Sequence, residues 1–65
     1  MIREKQIVRA MRLMGDAQKL RDASSTEQDI VSKLEESLDE GEFDGSFDSA
    51  VKCLTEEGYQ VELDT

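Results

Sequence analysis

The chain contains no histidine and only one cysteine, and this scarcity excludes much of the usual chemistry of small proteins. A domain of 65 residues buries only about 60% of the surface that its unfolded chain exposes, so many small domains add disulfides or zinc. A single thiol forms no intrachain disulfide, and the usual zinc sites need histidine or several cysteines. Histidine is also the commonest general base, so Cys53 has no such group to activate it. We therefore predict a non-enzymatic protein with no cofactor and no metal, and we place Cys53 at the border of the core.

The chain also lacks a long apolar run. No stretch approaches the roughly 18 consecutive apolar residues that span a bilayer. The charged start MIREKQIVRAMRL has no uninterrupted apolar core of the kind that signal peptides contain. The lone thiol fits a reducing compartment. We therefore predict a cytoplasmic protein that does not enter membranes, built as a single small domain over residues 1–65.

Charge is unevenly distributed along the chain. Sixteen acidic residues against eight basic ones give a net charge of −8. Residues 1–22 contain six basic and three acidic side chains, a net charge of +3, whereas residues 23–65 contain two basic and thirteen acidic ones, a net charge of −11. One end is therefore basic and the remainder is strongly acidic.

Residues 2–22 are predicted to form the first helix, because no proline interrupts them and most of their residues favour helix. At about 100° per residue, their apolar side chains cover about half of the helix circumference. That is wider than the stripe of an ordinary surface helix. We therefore expect contact with two neighbours, or with a second copy of the chain in a homodimer through Ile7, Met11 and Met14. Gly15 is expected to mark a bend or a close helix crossing.

A narrow basic strip lies on the opposite side of this predicted helix. Its members return to one side of the helix and are Lys5, Arg9, Arg12 and Lys19. Such a strip can contact the phosphates of nucleic acid. It can also pair with the acidic helices of the same chain or of a second copy.

Residues 26–40 are predicted to form the second helix. Ser24 or Ser25 can accept a hydrogen bond from the free first-turn amides, and an acidic or amide side chain three residues later can complete a capping box. Gly41 provides the left-handed residue that ends such a helix. Four apolar residues form a narrow stripe predicted to face the core: Ile30, Val31, Leu34 and Leu38.

Residues 47–57 are predicted to form the third helix, with Ser46 as its N-cap and Gly58 at its end. Residues 59–64 then alternate apolar and polar side chains, which is the period of a half-buried strand. We expect this segment to pack over the helices or to pair with another chain. The predicted fold is mostly α, a small three-helix domain with a short C-terminal extended segment.

The stretch LDEGEFDGSFDSA, residues 38–50, partly fits the ligand spacing of an EF-hand calcium loop. With Gly45 at loop position 6, carboxylates occupy positions 1, 3, 5 and 9. Position 12 is Val51, where such a loop needs a bidentate glutamate. We therefore predict an acidic turn between two helices in place of a calcium site.

The acidic second and third helices favour one function class. Carboxylates on their surface can bind a basic site on a partner protein, so we predict a small interaction module acting as a regulator or inhibitor. The predicted contact residues are Glu35, Glu36, Asp39, Glu40, Glu42, Asp44 and Asp48. A simpler interpretation is that these charges only provide solubility. The alternative function is a nucleic-acid-associated regulator that uses the basic strip on phosphates and the acidic half on a protein partner.

Overall fold

The computed structural model describes residues 1–63 as four helices and a two-stranded parallel sheet. The elements in chain order are β1 (Ile2–Arg3), α1 (Glu4–Leu13), α2 (Ala17–Arg21), α3 (Ser25–Asp39), α4 (Phe47–Glu56) and β2 (Val61–Glu62). The predicted mostly helical fold with a C-terminal extended segment is confirmed. Among residues 1–63, no helix is long and apolar enough to cross a membrane.

The single first helix predicted over residues 2–22 is wrong, because the structure divides this segment into three elements. Ile2 and Arg3 are extended, and α1 ends before the expected bend at Gly15. The carboxylate of Asp16 accepts a hydrogen bond from the Lys19 amide at 3.2 Å and caps α2. A capping Asp directly after a helix-disfavouring Gly ends one helix and starts another.

The C-terminal extended segment pairs with the N-terminus of its own chain. Ile2 lies beside Val61 in a parallel register, and the Ile2 amide donates to the Gln60 carbonyl at 2.7 Å. The expectation of a strand pairing with another chain is thus corrected, because residues assigned to the first helix provide the partner strand. The expectation that the segment packs over the helices is confirmed, because Tyr59 and Val61 pack against the core. The predicted segment 59–64 reaches Asp64, which lies outside the described residues.

The predicted helix caps are confirmed. Ser24 Oγ accepts a hydrogen bond from the Glu27 amide at 3.3 Å and donates to the Glu27 carboxylate at 3.0 Å, so Ser24 is the N-cap of α3. The Glu27 carboxylate bonds the Ser24 hydroxyl in place of the Ser24 amide that a capping box requires. Ser46 Oγ accepts from the Ser49 amide at 3.2 Å at the start of α4. Because both serines satisfy first-turn amides, α3 and α4 begin at defined positions.

The core lies where α1, α3 and α4 meet. Its fully buried side chains include Ile7 from α1, Ile30 and Leu34 from α3, and Leu54 from α4. The broad apolar face of α1 is covered by α3, α4 and β1 of the same chain. The width of that face therefore needs no second copy to explain it.

The prediction that Ile7 contacts a second copy of the chain is wrong. Ile7 has no exposed surface and cannot contact a second copy while the domain is folded. Met11 and Met14 are half-buried and pack against the core. The apolar residues proposed for dimerisation thus belong to the interior and its edge.

Leu38 is exposed, contrary to its predicted place in the buried stripe of α3. Its relative exposure is 52%, whereas the neighbouring Ser37 is buried. After α3 the chain folds back over Ser37, because the amides of Glu42 and Phe43 both donate to the Ser37 carbonyl. Phe43 enters the core at that point, so the last turn of α3 packs through Ser37 in place of Leu38.

Candidate functional site

An acidic face extends from the last turns of α3, through the following turn, to the first turn of α4. All seven carboxylates predicted to contact a partner are exposed. No lysine or arginine occurs between residues 35 and 48, so this stretch alone carries a formal charge of −7. The acidic face consists of Glu35, Glu36, Asp39, Glu40, Glu42, Asp44 and Asp48.

The α3 part of the acidic face lies opposite the core. Because residues advance by about 100° along a helix, Glu35 and Asp39 project on one side. The buried Ile30 and Leu34 lie on the other side. Leu38 adds an exposed apolar side chain to the same last turn. The face therefore offers carboxylates and one large apolar contact to the surroundings.

Two carboxylates of the acidic face have partners within the chain. Glu36 lies 3.6 Å from the Lys33 ammonium, which also lies 3.8 Å from Glu57 at the end of α4. The carboxylates of Glu36 and Glu57 raise the pKa of Lys33. This lysine joins α3 to the end of α4, so Glu36 is partly neutralised.

Asp44 holds the turn before α4. Its Oδ1 accepts hydrogen bonds from the Ser46 hydroxyl at 2.6 Å and the Ser46 amide at 2.8 Å. These bonds from Ser46 hold the pKa of Asp44 below its usual value. Within the stretch 38–50, residues 40–46 therefore form the turn between α3 and α4. Within residues 1–63, no three acidic or cysteine side chains converge to hold a metal ion.

The other five carboxylates of the acidic face make no side-chain hydrogen bond or ion pair within residues 1–63. These five are Glu35, Asp39, Glu40, Glu42 and Asp48. Within residues 1–63, no lysine or arginine nitrogen lies within 4.0 Å of their carboxylate oxygens. They are the members of the face that can be engaged without breaking an internal contact.

A basic groove of about 520 Å³ lies between α1, α2 and the start of α3. Three of the four predicted phosphate-contacting side chains line it, and Lys5 is the exception. Arg9, Arg12 and Lys19 are exposed. The polar residues that line the groove are Arg9, Arg12, Lys19, Asp22, Ser24 and Glu27.

The basic side chains do not pair with the acidic helices of their own chain. Among residues 1–63, the ion pairs within 4.0 Å are those of Lys33 with Glu36 and Glu57. The expectation of an intramolecular pairing of the basic strip is therefore wrong for the described residues. Within that part of the chain, Arg9, Arg12 and Lys19 make no ion pair that another molecule would have to break.

Gln28 positions one wall of the basic groove. Its side-chain amide donates to the Leu20 carbonyl in the last turn of α2 at 3.0 Å and to the Ala23 carbonyl just beyond that helix at 3.2 Å. This fastens the short α2, which carries Lys19, to the start of α3. The sequence indicates Gln28 only as a possible capping residue. No periodic pattern of apolar residues predicts that α2 folds back onto the start of α3.

Cys53 is buried, deeper than the predicted border position. Its relative exposure is 5%, and its Sγ lies 3.8 Å from the Glu42 carbonyl oxygen, to which it donates. The thiol therefore packs α4 against the turn that follows α3.

The comparisons with protein families, with curated proteins and with solved structures find no match. The chemistry of the acidic face and the basic groove is therefore the guide to function.

Proposed function

We propose that the protein is a non-enzymatic, cytoplasmic interaction module whose acidic face binds a basic site on a partner protein. The observation that carries this proposal is the exposure of seven carboxylates between residues 35 and 48, with no basic residue among them. A dense negative surface attracts a positive one and raises the rate of encounter. By occupying a basic site that otherwise binds another anion, the module acts as a regulator or inhibitor.

Two further features favour binding over simple solubility. Five of the carboxylates lack an internal partner in the described chain, so engaging them sacrifices no contact of the free protein. Leu38, 52% exposed, lies one turn after Glu35 and provides apolar area among the charges. Interfaces combine an apolar centre with a polar rim, which matches this arrangement.

A pair of charge-matched variants tests the proposal. The acidic-face variant combines Glu35→Gln, Asp39→Asn and Glu40→Gln. The control variant combines Asp29→Asn, Glu56→Gln and Glu62→Gln at exposed positions outside the face. Each variant loses three negative charges, so the net charge changes from −8 to −5 in both. A difference in partner binding between the two variants is therefore caused by the position of the removed charges and not by their number.

The readout is affinity capture from a lysate of the source cells, with and without nuclease, at low and raised ionic strength. We expect the wild-type chain and the control variant to retain one basic protein after nuclease treatment. The acidic-face variant is expected to lose it, and raised salt is expected to weaken retention because exposed charges are screened. Equal retention by both variants would contradict the proposal.

A further inference from the structure

The basic groove is a second surface, separate in sequence from the acidic face, and its side chains suit a different ligand. We propose that it binds a compact phosphorylated sugar or nucleotide through the phosphate group. This inference does not depend on the proposed function, because no member of the acidic face lines the groove.

The cationic side of the groove is built from two helices. Arg9 and Arg12 are three residues apart on α1, so their guanidinium groups project on one side. Lys19 approaches from α2. A guanidinium binds phosphate oxygens through two parallel hydrogen bonds, and an ammonium adds a point charge. With no ion pair to break within residues 1–63, these three side chains can converge on one phosphate.

Two carboxylates also line the groove. Asp22 and Glu27 both line it, and Glu27 Oε1 accepts a hydrogen bond from the Ser24 hydroxyl at 3.0 Å. Carboxylates repel phosphate but accept hydrogen bonds from hydroxyl groups. A groove with three cations and two carboxylates therefore fits a ligand that carries both a phosphate and free hydroxyls. Phosphorylated sugars and nucleotides have that combination.

The size of the groove and the charge of the rest of the chain favour a compact ligand over a nucleic acid. A volume of about 520 Å³ lies within the range of roughly 300–1,000 Å³ typical of small-molecule sites. A long polyanion would extend beyond the groove toward a molecule whose net charge is −8. At moderate salt, screening limits the range of this electrostatic repulsion to about 10 Å, but charges closer than that distance still repel the polyanion.

The test is a titration of the ¹⁵N-labelled chain, followed by amide NMR shifts at low ionic strength. The probes are ribose 5-phosphate and adenosine 5′-monophosphate, with ribose and adenosine as phosphate-free controls and a single-stranded oligonucleotide as the long polyanion. We expect saturable shifts of amides around Arg12, Lys19 and Ser24 with the phosphorylated probes and none with the controls. No saturable shift with either phosphorylated probe would overturn the proposal.

Matched variants distinguish specific binding in the groove from general attraction of the probes to positive charge. Arg12→Gln and Lys19→Gln each remove one charge from the groove, and Lys5→Gln removes one charge from α1 outside it. Loss of a charge-assisted hydrogen bond is expected to weaken binding about tenfold, or about 1.4 kcal/mol. Lys5→Gln is expected to weaken it less than about twofold.

Two results would contradict the compact-ligand proposal even if shifts are observed. Equal weakening by Lys5→Gln and Arg12→Gln would show that general positive charge attracts the probes. Tighter binding of the oligonucleotide than of adenosine 5′-monophosphate, measured per molecule, would assign the groove to nucleic acid. Circular dichroism spectra that match the wild type would confirm that each variant is folded.

Discussion

Replacing Gly58 by alanine is expected to lower the free energy of unfolding by about 1–2 kcal/mol, because the backbone there is left-handed. Gly58 has φ = +96° and follows α4. Its amide donates to the Thr55 carbonyl at 3.0 Å, and the Tyr59 amide donates to the Leu54 carbonyl at 3.1 Å. These two bonds satisfy carbonyls at the end of α4 and depend on that conformation.

The magnitude of this effect reflects backbone strain alone. A Cβ added at Gly58 meets no atom within 4 Å, so no steric clash contributes. Gly15 provides the matched control, because its Cβ also meets nothing within 4 Å and its φ is not positive. Gly15→Ala is expected to be neutral or to stabilise by about 0.4–1 kcal/mol, since alanine restricts the unfolded chain.

Urea unfolding followed by circular dichroism measures both variants against the wild type. A chain of 65 residues has a total stability of about 3–10 kcal/mol, so the predicted loss is a large fraction of it. At the slope of about 1 kcal/mol/M expected for such a small domain in urea, the midpoint of Gly58→Ala falls by about 1–2 M. Equal midpoints for Gly58→Ala and Gly15→Ala would refute the assignment of a left-handed helix end.

Two further predictions concern the starts of α3 and α4. Ser24→Ala is expected to lower the free energy of unfolding by about 1 kcal/mol through loss of the cap, and Ser25→Ala by less than about 0.5 kcal/mol, again in urea. Equal losses would contradict the cap. Asp44 is expected to titrate below the usual aspartate range in carboxyl NMR, because Ser46 donates to its carboxylate. The stabilising contribution of the Asp44 carboxylate is then fully present above its unfolded-state pKa and is lost as the pH falls through its lowered folded-state pKa. Ser46→Ala is expected to return the pKa of Asp44 toward the ordinary value.

The helix boundaries were predictable where a single residue carries the signal. Ser24 and Ser46 satisfy amides of their own helices, and Gly41 and Gly58 adopt positive φ. Each of these interactions involves residues only a few positions apart, so it can be predicted from the spacing of residues in the sequence. The same locality explains why α3 and α4 match their predicted positions closely.

The parallel strand pair was not predictable in this way. Ile2 and Val61 are 59 positions apart, and each strand has two residues, too few to show a period. Ile2 also continues the apolar pattern of α1, which favours a helical interpretation of the chain start. Leu38 illustrates the same limit, because only the return of Phe43 to the core decides which residue of the last turn is buried.

The two charged surfaces differ in how far the sequence defines them. The exposure of the α3 part of the acidic face follows from the apolar stripe on the opposite side of that helix. The basic groove combines α1 and α2 with the start of α3, so its shape depends on the turn at Asp16. A continuous first helix predicts that the cations of the groove lie on one strip, but it does not predict that Asp22 and Glu27 line the same groove.

The most direct test of the central claim is the affinity of the captured partner for the wild-type chain and the two charge-matched variants, measured at two ionic strengths. The proposal predicts that Glu35→Gln, Asp39→Asn and Glu40→Gln together weaken binding and reduce its salt dependence. The control variant is predicted to bind nearly as the wild type does. Identical affinities and salt dependences for all three chains would contradict an acidic face that binds a basic partner.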